Sequence, residues 1–125
     1  MSDPINTLTE KIIGAAIEVH RELGPGLLES AYEVALAYEL TLQGLQVERQ
    51  KEQPIRYKGL LIETGFRIDV LVEGQVVVEL KAVEAILPIH EAQLITYLKL
   101  SQCRVGLLIN FNVPLLKQGI KRLVL

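Results

Sequence analysis

Two neighbouring strand-like segments in the middle of the chain carry charged residues among β-branched ones. The segments span residues 60–72 and 75–82, and each holds one charged pair: Arg67 and Asp69 in the first, Glu79 and Lys81 in the second. Side chains alternate between the two faces of a strand, so each charged pair shares one face. The opposite face is apolar, formed in the first strand by Ile68, Val70 and Val72. The sequence therefore predicts a sheet with one charged face and one apolar face.

The length of the turn between these strands decides whether the two charged pairs meet. A two-residue turn would put Asp69 and Glu79 on opposite faces, whereas a three-residue turn over 73–75 places them directly opposite each other. The same register places Arg67 opposite Lys81. We expect the three-residue turn, because the shorter one would bury charge on an apolar face at a high cost in free energy.

Helical periodicity and turn residues predict the rest of the fold. Apolar residues at helical spacing predict three helices, over 4–23, 27–43 and 88–101. Further strands are expected over 46–57, where Pro54 indicates an edge or a bulge, over 104–110, and in the tail over 120–124. The order α-α-β-β-β-α-β, with an additional tail strand, predicts one α/β or α+β domain over residues 1–125, with a mixed sheet flanked by helices.

Composition narrows the class of protein. The 125 residues carry a formal charge of −2 and are 50% hydrophobic, so the chain is globular and lacks an overall basic surface for nucleic acid. The single cysteine, Cys103, excludes an intrachain disulfide. The absence of a signal-like or membrane-spanning stretch favours a cytoplasmic protein. A mean hydropathy of +0.30 favours a homodimer, with the first helix or the final strand at the interface.

Two opposed carboxylates indicate a divalent cation. Asp69 and Glu79 would repel each other unless a cation lay between them, and their hard oxygen atoms suit Mg²⁺ or Mn²⁺. Lys81, two residues after Glu79, can hold a water molecule or a phosphate oxygen near that cation. This combination suits phosphodiester hydrolysis. The same four charges could instead form cross-strand ion pairs, of Asp69 and Glu79 with Lys81 and Arg67.

Asp69 followed by Glu79-Leu80-Lys81 resembles the D…(D/E)-X-K signature of the PD-(D/E)XK nuclease superfamily, with Ile68 in place of the nominal proline. The resemblance implies a restriction-endonuclease-like core and a Mg²⁺- or Mn²⁺-dependent nuclease. It implies that Asp69, Glu79 and the backbone carbonyl of Leu80 bind the metal, and that Lys81 is the catalytic lysine.

A second motif, Gly26 to Tyr32, is similar to the one that names the GxxExxY protein family. Within the superfamily resemblance, Glu29 is similar to an additional acidic residue that some members place beside the metal. Gln93 and Tyr97, one helical turn apart, resemble a Gln-x-x-x-Tyr element of some exonuclease-like branches, which implies that they contact nucleic acid or orient the site. His90 shares their helix face, and Arg67 is expected beside the substrate.

Each of these residues also has a structural interpretation. Glu29 would be stabilised by the free amides at the start of its helix. His20 and Tyr32 could be hydrogen-bonded packing residues, and His20 could instead touch the site. The whole domain could be a non-catalytic module that binds a partner protein, since acidic charge and few aromatic residues disfavour nucleic acid.

Overall fold

The computed structural model describes residues 3–125, so the first two residues of the predicted domain lie outside the described part. It confirms the predicted order of elements and the α+β class. The elements are α1 (Pro4–Leu23), α2 (Glu29–Leu42), β1 (Val47–Tyr57), β2 (Leu60–Val72), β3 (Val76–Lys81), α3 (Pro88–Ser101), β4 (Val105–Asn110), a 3₁₀ turn (Leu116–Gly119) and β5 (Ile120–Val124). No helix within residues 3–125 is long and apolar enough to cross a membrane.

The start of α2 differs from the prediction by two residues. Leu27 was expected to be helical, but its backbone N–H donates to the hydroxyl of Tyr32 at 3.0 Å. Leu28 has extended backbone angles, and the helix begins at Glu29. The reason is that the segment after α1 folds back onto Tyr32, which places Glu29 in the first helical turn.

The sheet has five strands in the order β1-β2-β3-β4-β5. β3 and β4 run parallel and are connected through α3, whereas the other neighbouring strands are antiparallel. Val72 pairs with Val76, which confirms the three-residue turn. β1 forms an edge of the sheet, and its pairing shifts register between Gln53 and Ile55, so the expectation for Pro54 is confirmed.

Two apolar clusters lie on opposite faces of the sheet. Val70 and Val72 pack with α1 and α2. Ile68 packs with Leu71 and with residues of α3. The prediction that Ile68 shares a face with Val70 is therefore wrong, because the alternation of side chains breaks at the residue between them, Asp69. Because both faces of the sheet carry apolar clusters, the prediction of one charged face and one apolar face is also wrong.

Candidate functional site

Asp69 and Glu79 lie where β2 and β3 separate. The last backbone pair between these strands in the described structure joins Val70 to Val78. Beyond it the two carboxylates accept backbone hydrogen bonds from the opposite strand. The N–H of Asp69 donates to Oε2 of Glu79 at 2.9 Å, and the N–H of Leu80 donates to Oδ2 of Asp69 at 3.0 Å. The side chains thus replace the missing ladder bonds and hold each other in the gap between the strands.

The same separation moves Arg67 away from its predicted neighbour. Arg67 pairs with Glu52 of β1, and their side chains form an exposed ion pair at 3.6 Å. The prediction that Arg67 stands opposite Lys81 is therefore wrong, because the β2–β3 ladder stops at Val70 and does not reach Arg67. Its role beside a substrate stays a prediction.

Burial and like charge dominate the electrostatics of this gap. Glu79 is only 5% exposed. Its burial, reinforced by the charge of Asp69, raises its pKa from 4.5 to about 8, and the charge of Lys81 opposes the shift. Burial also raises the pKa of Asp69, against the hydrogen bond from Leu80. None of the ion pairs within residues 3–125 includes Asp69 or Glu79, so a ladder of cross-strand ion pairs does not account for them.

Two further residues, Glu33 and Gln50, lie beside Asp69 and Glu79 and were not identified from the sequence. Glu33 of α2 is buried and accepts hydrogen bonds from Arg49 at 2.9 Å and Gln50 at 2.5 Å. Gln50 also donates to Oδ1 of Asp69 at 3.3 Å, which links the helix to β2. The charge of Glu33 contributes to the raised pKa of Asp69 and of Glu79. We call Asp69, Glu79, Glu33 and Lys81 the carboxylate cleft.

A pocket of about 330 Å³ opens beside the cleft. Its lining residues are Glu29, Ser30, Glu33, Gln50, Asp69 and Leu80. Glu29 lies at the start of α2, but its Oε1 accepts the backbone N–H of Ala82, just after β3, at 3.1 Å. The structure thus brings Glu29 and Leu80 together with Asp69 around one pocket, and their roles as ligands stay predictions.

The predicted residues on α3 separate into three environments. Tyr97 is close enough that Glu79 and Asp69, after burial, contribute to raising its pKa. Its ring stacks on Phe66 with centroids 4.2 Å apart. His90 accepts the backbone N–H of Leu87 at 3.0 Å through Nδ1 and so caps the helix. Gln93 lies exposed, one turn before Tyr97. Tyr97 therefore lies within reach of the charges of the cleft.

His20 and Tyr32 belong to a different part of the molecule. The hydroxyl of Tyr32 donates to the carbonyl of Gly24 at 2.6 Å, and its ring stacks on Phe111 with centroids 4.4 Å apart. His20 Nε2 lies 2.8 Å from the carbonyl oxygen of Val113. These three rings, His20, Tyr32 and Phe111, form the Tyr32 cluster. The packing interpretation of both motif residues therefore agrees with the structure.

The donor set fits a magnesium-type site rather than a protein cage. No group of three or more His, Cys, Asp or Glu side chains in residues 3–125 is arranged to hold a metal ion. Mg²⁺ is commonly held by one or two carboxylates, with water and substrate phosphate as the other ligands. Asp69 and Glu79 supply such a pair. Two carboxylates so close together repel each other when both are ionised, and a bound cation would compensate this repulsion.

Comparison with known proteins identifies the family of this chain. Neither a search of curated proteins nor a search of solved structures found a match to this chain. A family model described as the PD-(D/E)XK nuclease superfamily matches residues 6–123, which include most of α1, most of β5 and every element between them. The predicted signature, the five-stranded mixed sheet and the match over nearly the whole length agree, and the chain belongs to the PD-(D/E)XK nuclease superfamily.

Proposed function

We propose that this protein is a Mg²⁺- or Mn²⁺-dependent phosphodiesterase that cleaves nucleic acid. The observation that carries the proposal is the pair of carboxylates, buried Glu79 and half-buried Asp69, held in the gap between β2 and β3 beside Lys81. Acidic groups placed together in low-polarity surroundings cost stability, and proteins retain such costs where function requires them. Membership of a nuclease superfamily supports the choice of phosphodiester chemistry.

Each side chain of the cleft has a separate role in this proposal. Asp69 and Glu79 bind the cation, with the backbone carbonyl of Leu80 as a further oxygen ligand, and Glu29 is the additional acidic residue beside the metal. When bound, the cation supplies an activated water molecule and neutralises charge on the scissile phosphate. Lys81 orients the attacking water or holds a phosphate oxygen. Tyr97, with Gln93 and His90 nearer the surface, contacts the nucleic acid.

The charge of the chain shapes how nucleic acid would be bound. The net charge is −2, so phosphate affinity comes from local cations and from the metal rather than from a basic surface. We therefore expect weak binding without metal and a marked gain when Mg²⁺ is added. The buried free thiol of Cys103 agrees with the cytoplasmic location that forms part of this proposal.

A calorimetric titration tests the metal site directly. We expect Mn²⁺ to bind the wild-type protein and to bind neither Asp69→Asn nor Glu79→Gln, because each substitution removes one of the two charged ligands. Glu10→Gln is the matched control, since Glu10 is an exposed residue of α1 that does not line the pocket. Binding that persists in both cleft variants would place the metal elsewhere and overturn the assignment.

Cleavage assays on single- and double-stranded DNA and RNA test the chemistry. With Mg²⁺ or Mn²⁺ present, Asp69→Asn and Lys81→Ala should each lower the rate by about a hundredfold or more. Thermal melting of each variant separates this loss from unfolding. If both folded variants cleave as well as the wild type, the proposed catalytic site is wrong.

A non-catalytic binding module is the second candidate, and one observation favours it. Asp69 and Glu79 already accept backbone hydrogen bonds, and so they join β2 to β3 beyond the end of the ladder without a ligand. This candidate predicts no turnover on any nucleic acid, together with binding to a partner protein. Binding to nucleic acid that depends on salt and Mg²⁺ would count against it.

A further inference from the structure

Half of the β1–β2 hairpin extends beyond the rest of the sheet. β2 pairs with β3 only from Val70 to Val72, whereas it pairs with β1 along its whole length. Residues 53–66 therefore form a two-stranded arm, with strand partners only on each other within the described structure. An isolated two-stranded hairpin is marginally stable in water. Its stability depends on what its side chains contact.

The tip of this arm, residues 54–62, is apolar and positively charged. Leu60 is 64% exposed and Tyr57 is 59% exposed, and Leu61 is also exposed. The tip contains Arg56 and Lys58 and no acidic residue. The ammonium group of Lys58 lies 5.4 Å from the centre of the Tyr57 ring. Aliphatic and aromatic surface so concentrated on a protruding hairpin is typical of a contact with another macromolecule.

A groove between α1 and α2 has the opposite charge and similar apolar character. It encloses about 190 Å³, and its lining includes three carboxylates and no Lys or Arg: Glu18, Val19, Glu22, Leu23, Ala35, Tyr38 and Glu39. Leu23 and Tyr38 are exposed there. We call this lining the α1–α2 groove. Its acidic edges and apolar floor complement the basic and apolar tip of the arm.

We propose that two copies of this chain form a dimer in which the arm of each copy docks into the α1–α2 groove of the other. Arg56 and Lys58 pair with Glu22 and Glu39 of the second copy, while Leu60 covers its exposed apolar residues. Two identical contacts related by a two-fold axis close the assembly, so it stops at a dimer. This proposal concerns different residues from the carboxylate cleft and does not require cleavage.

The composition of the arm favours a protein surface over nucleic acid. The exposed tip residues are mainly aliphatic, whereas single-stranded nucleic acid is bound through stacked aromatic rings. Nearer the sheet, Arg67 is paired with Glu52 and Lys51 with Glu48, which leaves these cations less available to phosphates. At the tip, Arg56 and Lys58 take part in none of the ion pairs within residues 3–125, and their charge is opposite in sign to the groove. Glu63, next to the tip, is the one acidic residue of the arm.

A charge-exchange experiment tests the proposal. The arm variant carries Arg56→Glu and Lys58→Glu, and the groove variant carries Glu22→Lys and Glu39→Lys. Light scattering coupled to size exclusion should give a dimer for the wild type and a monomer for each variant alone, since each then places like charges together. An equimolar mixture should form a heterodimer, because both of its contacts again join opposite charges. High salt should weaken the wild-type dimer.

Several results would overturn this proposal, and none depends on cleavage activity. A monomeric wild type would exclude the dimer. Dimers that persist in both variants would place the interface elsewhere, for example on β5. Monomeric variants that do not associate when mixed, although circular dichroism shows that they are folded, would exclude this pairing of surfaces. An arm variant that instead loses salt-dependent binding to nucleic acid, with no change in mass, would assign the arm to the substrate.

Discussion

The carboxylate cleft and the Tyr32 cluster both place polar side chains in apolar surroundings, but they compensate them differently. In the Tyr32 cluster the hydroxyl of Tyr32 and the ring of His20 are each bonded to backbone carbonyls. In the cleft, burial and the charges of Asp69 and Glu33 raise the pKa of Glu79, and burial and the charge of Glu33 raise the pKa of Asp69. The first arrangement satisfies each polar group with an uncharged partner, whereas the surroundings in the second oppose ionisation of its acidic groups.

This difference separates a structural role from a functional one within one sequence motif. Glu29 and Tyr32 are three residues apart on α2, yet Glu29 joins the pocket at the cleft and Tyr32 holds the segment between the helices. Satisfied buried hydrogen bonds add stability. Clustered buried like charges subtract it, and a bound cation would restore it. Substitutions in the two regions should therefore have opposite effects on stability.

The largest effect is expected from Glu79→Gln in the presence of a chelator. The pKa of Glu79 is about 8 in the folded protein and 4.5 in the unfolded chain, so the folded state binds the additional proton between these values. The metal-free wild type should therefore lose stability as pH rises through this range, by on the order of a few kcal/mol. Glu79→Gln removes this loss and should be more stable than the wild type at the upper end, although it no longer cleaves.

Urea unfolding across this pH range measures the effect. Glu10→Gln serves as the control, because it removes an exposed carboxylate and should leave the pH dependence unchanged. Part of the dependence should remain in Glu79→Gln, since burial raises the pKa of Asp69 in the same direction. A variant with the same pH profile as the wild type would show that Glu79 is ionised in the folded protein.

A smaller effect of opposite sign is expected from Tyr32→Phe. The substitution removes the donor to Gly24 and the acceptor for Leu27, so it should cost about 1–3 kcal/mol. Both lost bonds join uncharged groups, and the cost should not vary with pH. Glu10→Gln is the control, because Glu10 is exposed on α1 and lies outside the Tyr32 cluster and the α1–α2 groove. A loss that differs strongly between acidic and alkaline pH would mean that Tyr32 is coupled to the cleft.

The register of the central hairpin could be predicted from the sequence because one physical rule determines it. Three turn residues place Val72 opposite Val76, whereas the two-residue turn would have put Asp69 and Glu79 on opposite faces. The predicted register brings Asp69 and Glu79 close together, but the ladder ends at Val70 and Val78, so they contact through side chain–backbone hydrogen bonds rather than as a strand pair. The helices were predicted nearly to their ends, since their apolar periodicity is long and is bounded by Pro4, Gly24 and Pro88.

Other parts of the site depend on geometry that no local pattern contains. Because β2 separates from β3 before Arg67, this residue pairs with Glu52 instead of facing Lys81. No sequence pattern indicates where the pairing of these two strands ends. Gln50 adopts a φ of 49°, which is unusual for a residue other than glycine. Glu33 alone had a detectable signal, because it lies four residues after Glu29 and thus on the same face of α2.

The smallest effect concerns aromatic stacks, of which each region has one. The Phe66–Tyr97 stack lies beside the cleft and is half-buried, whereas the Tyr32–Phe111 stack is fully buried. A double-mutant cycle with Phe66→Leu and Tyr97→Leu should give a coupling energy of about 0.5–1.5 kcal/mol. The single change Phe66→Leu should lower the free energy of unfolding less than Phe111→Leu does, because folding buries less apolar area at Phe66. A coupling energy near zero would show that the Phe66 ring does not hold Tyr97 in place. Tyr97 would then owe its position near Glu79 to the packing of α3 alone.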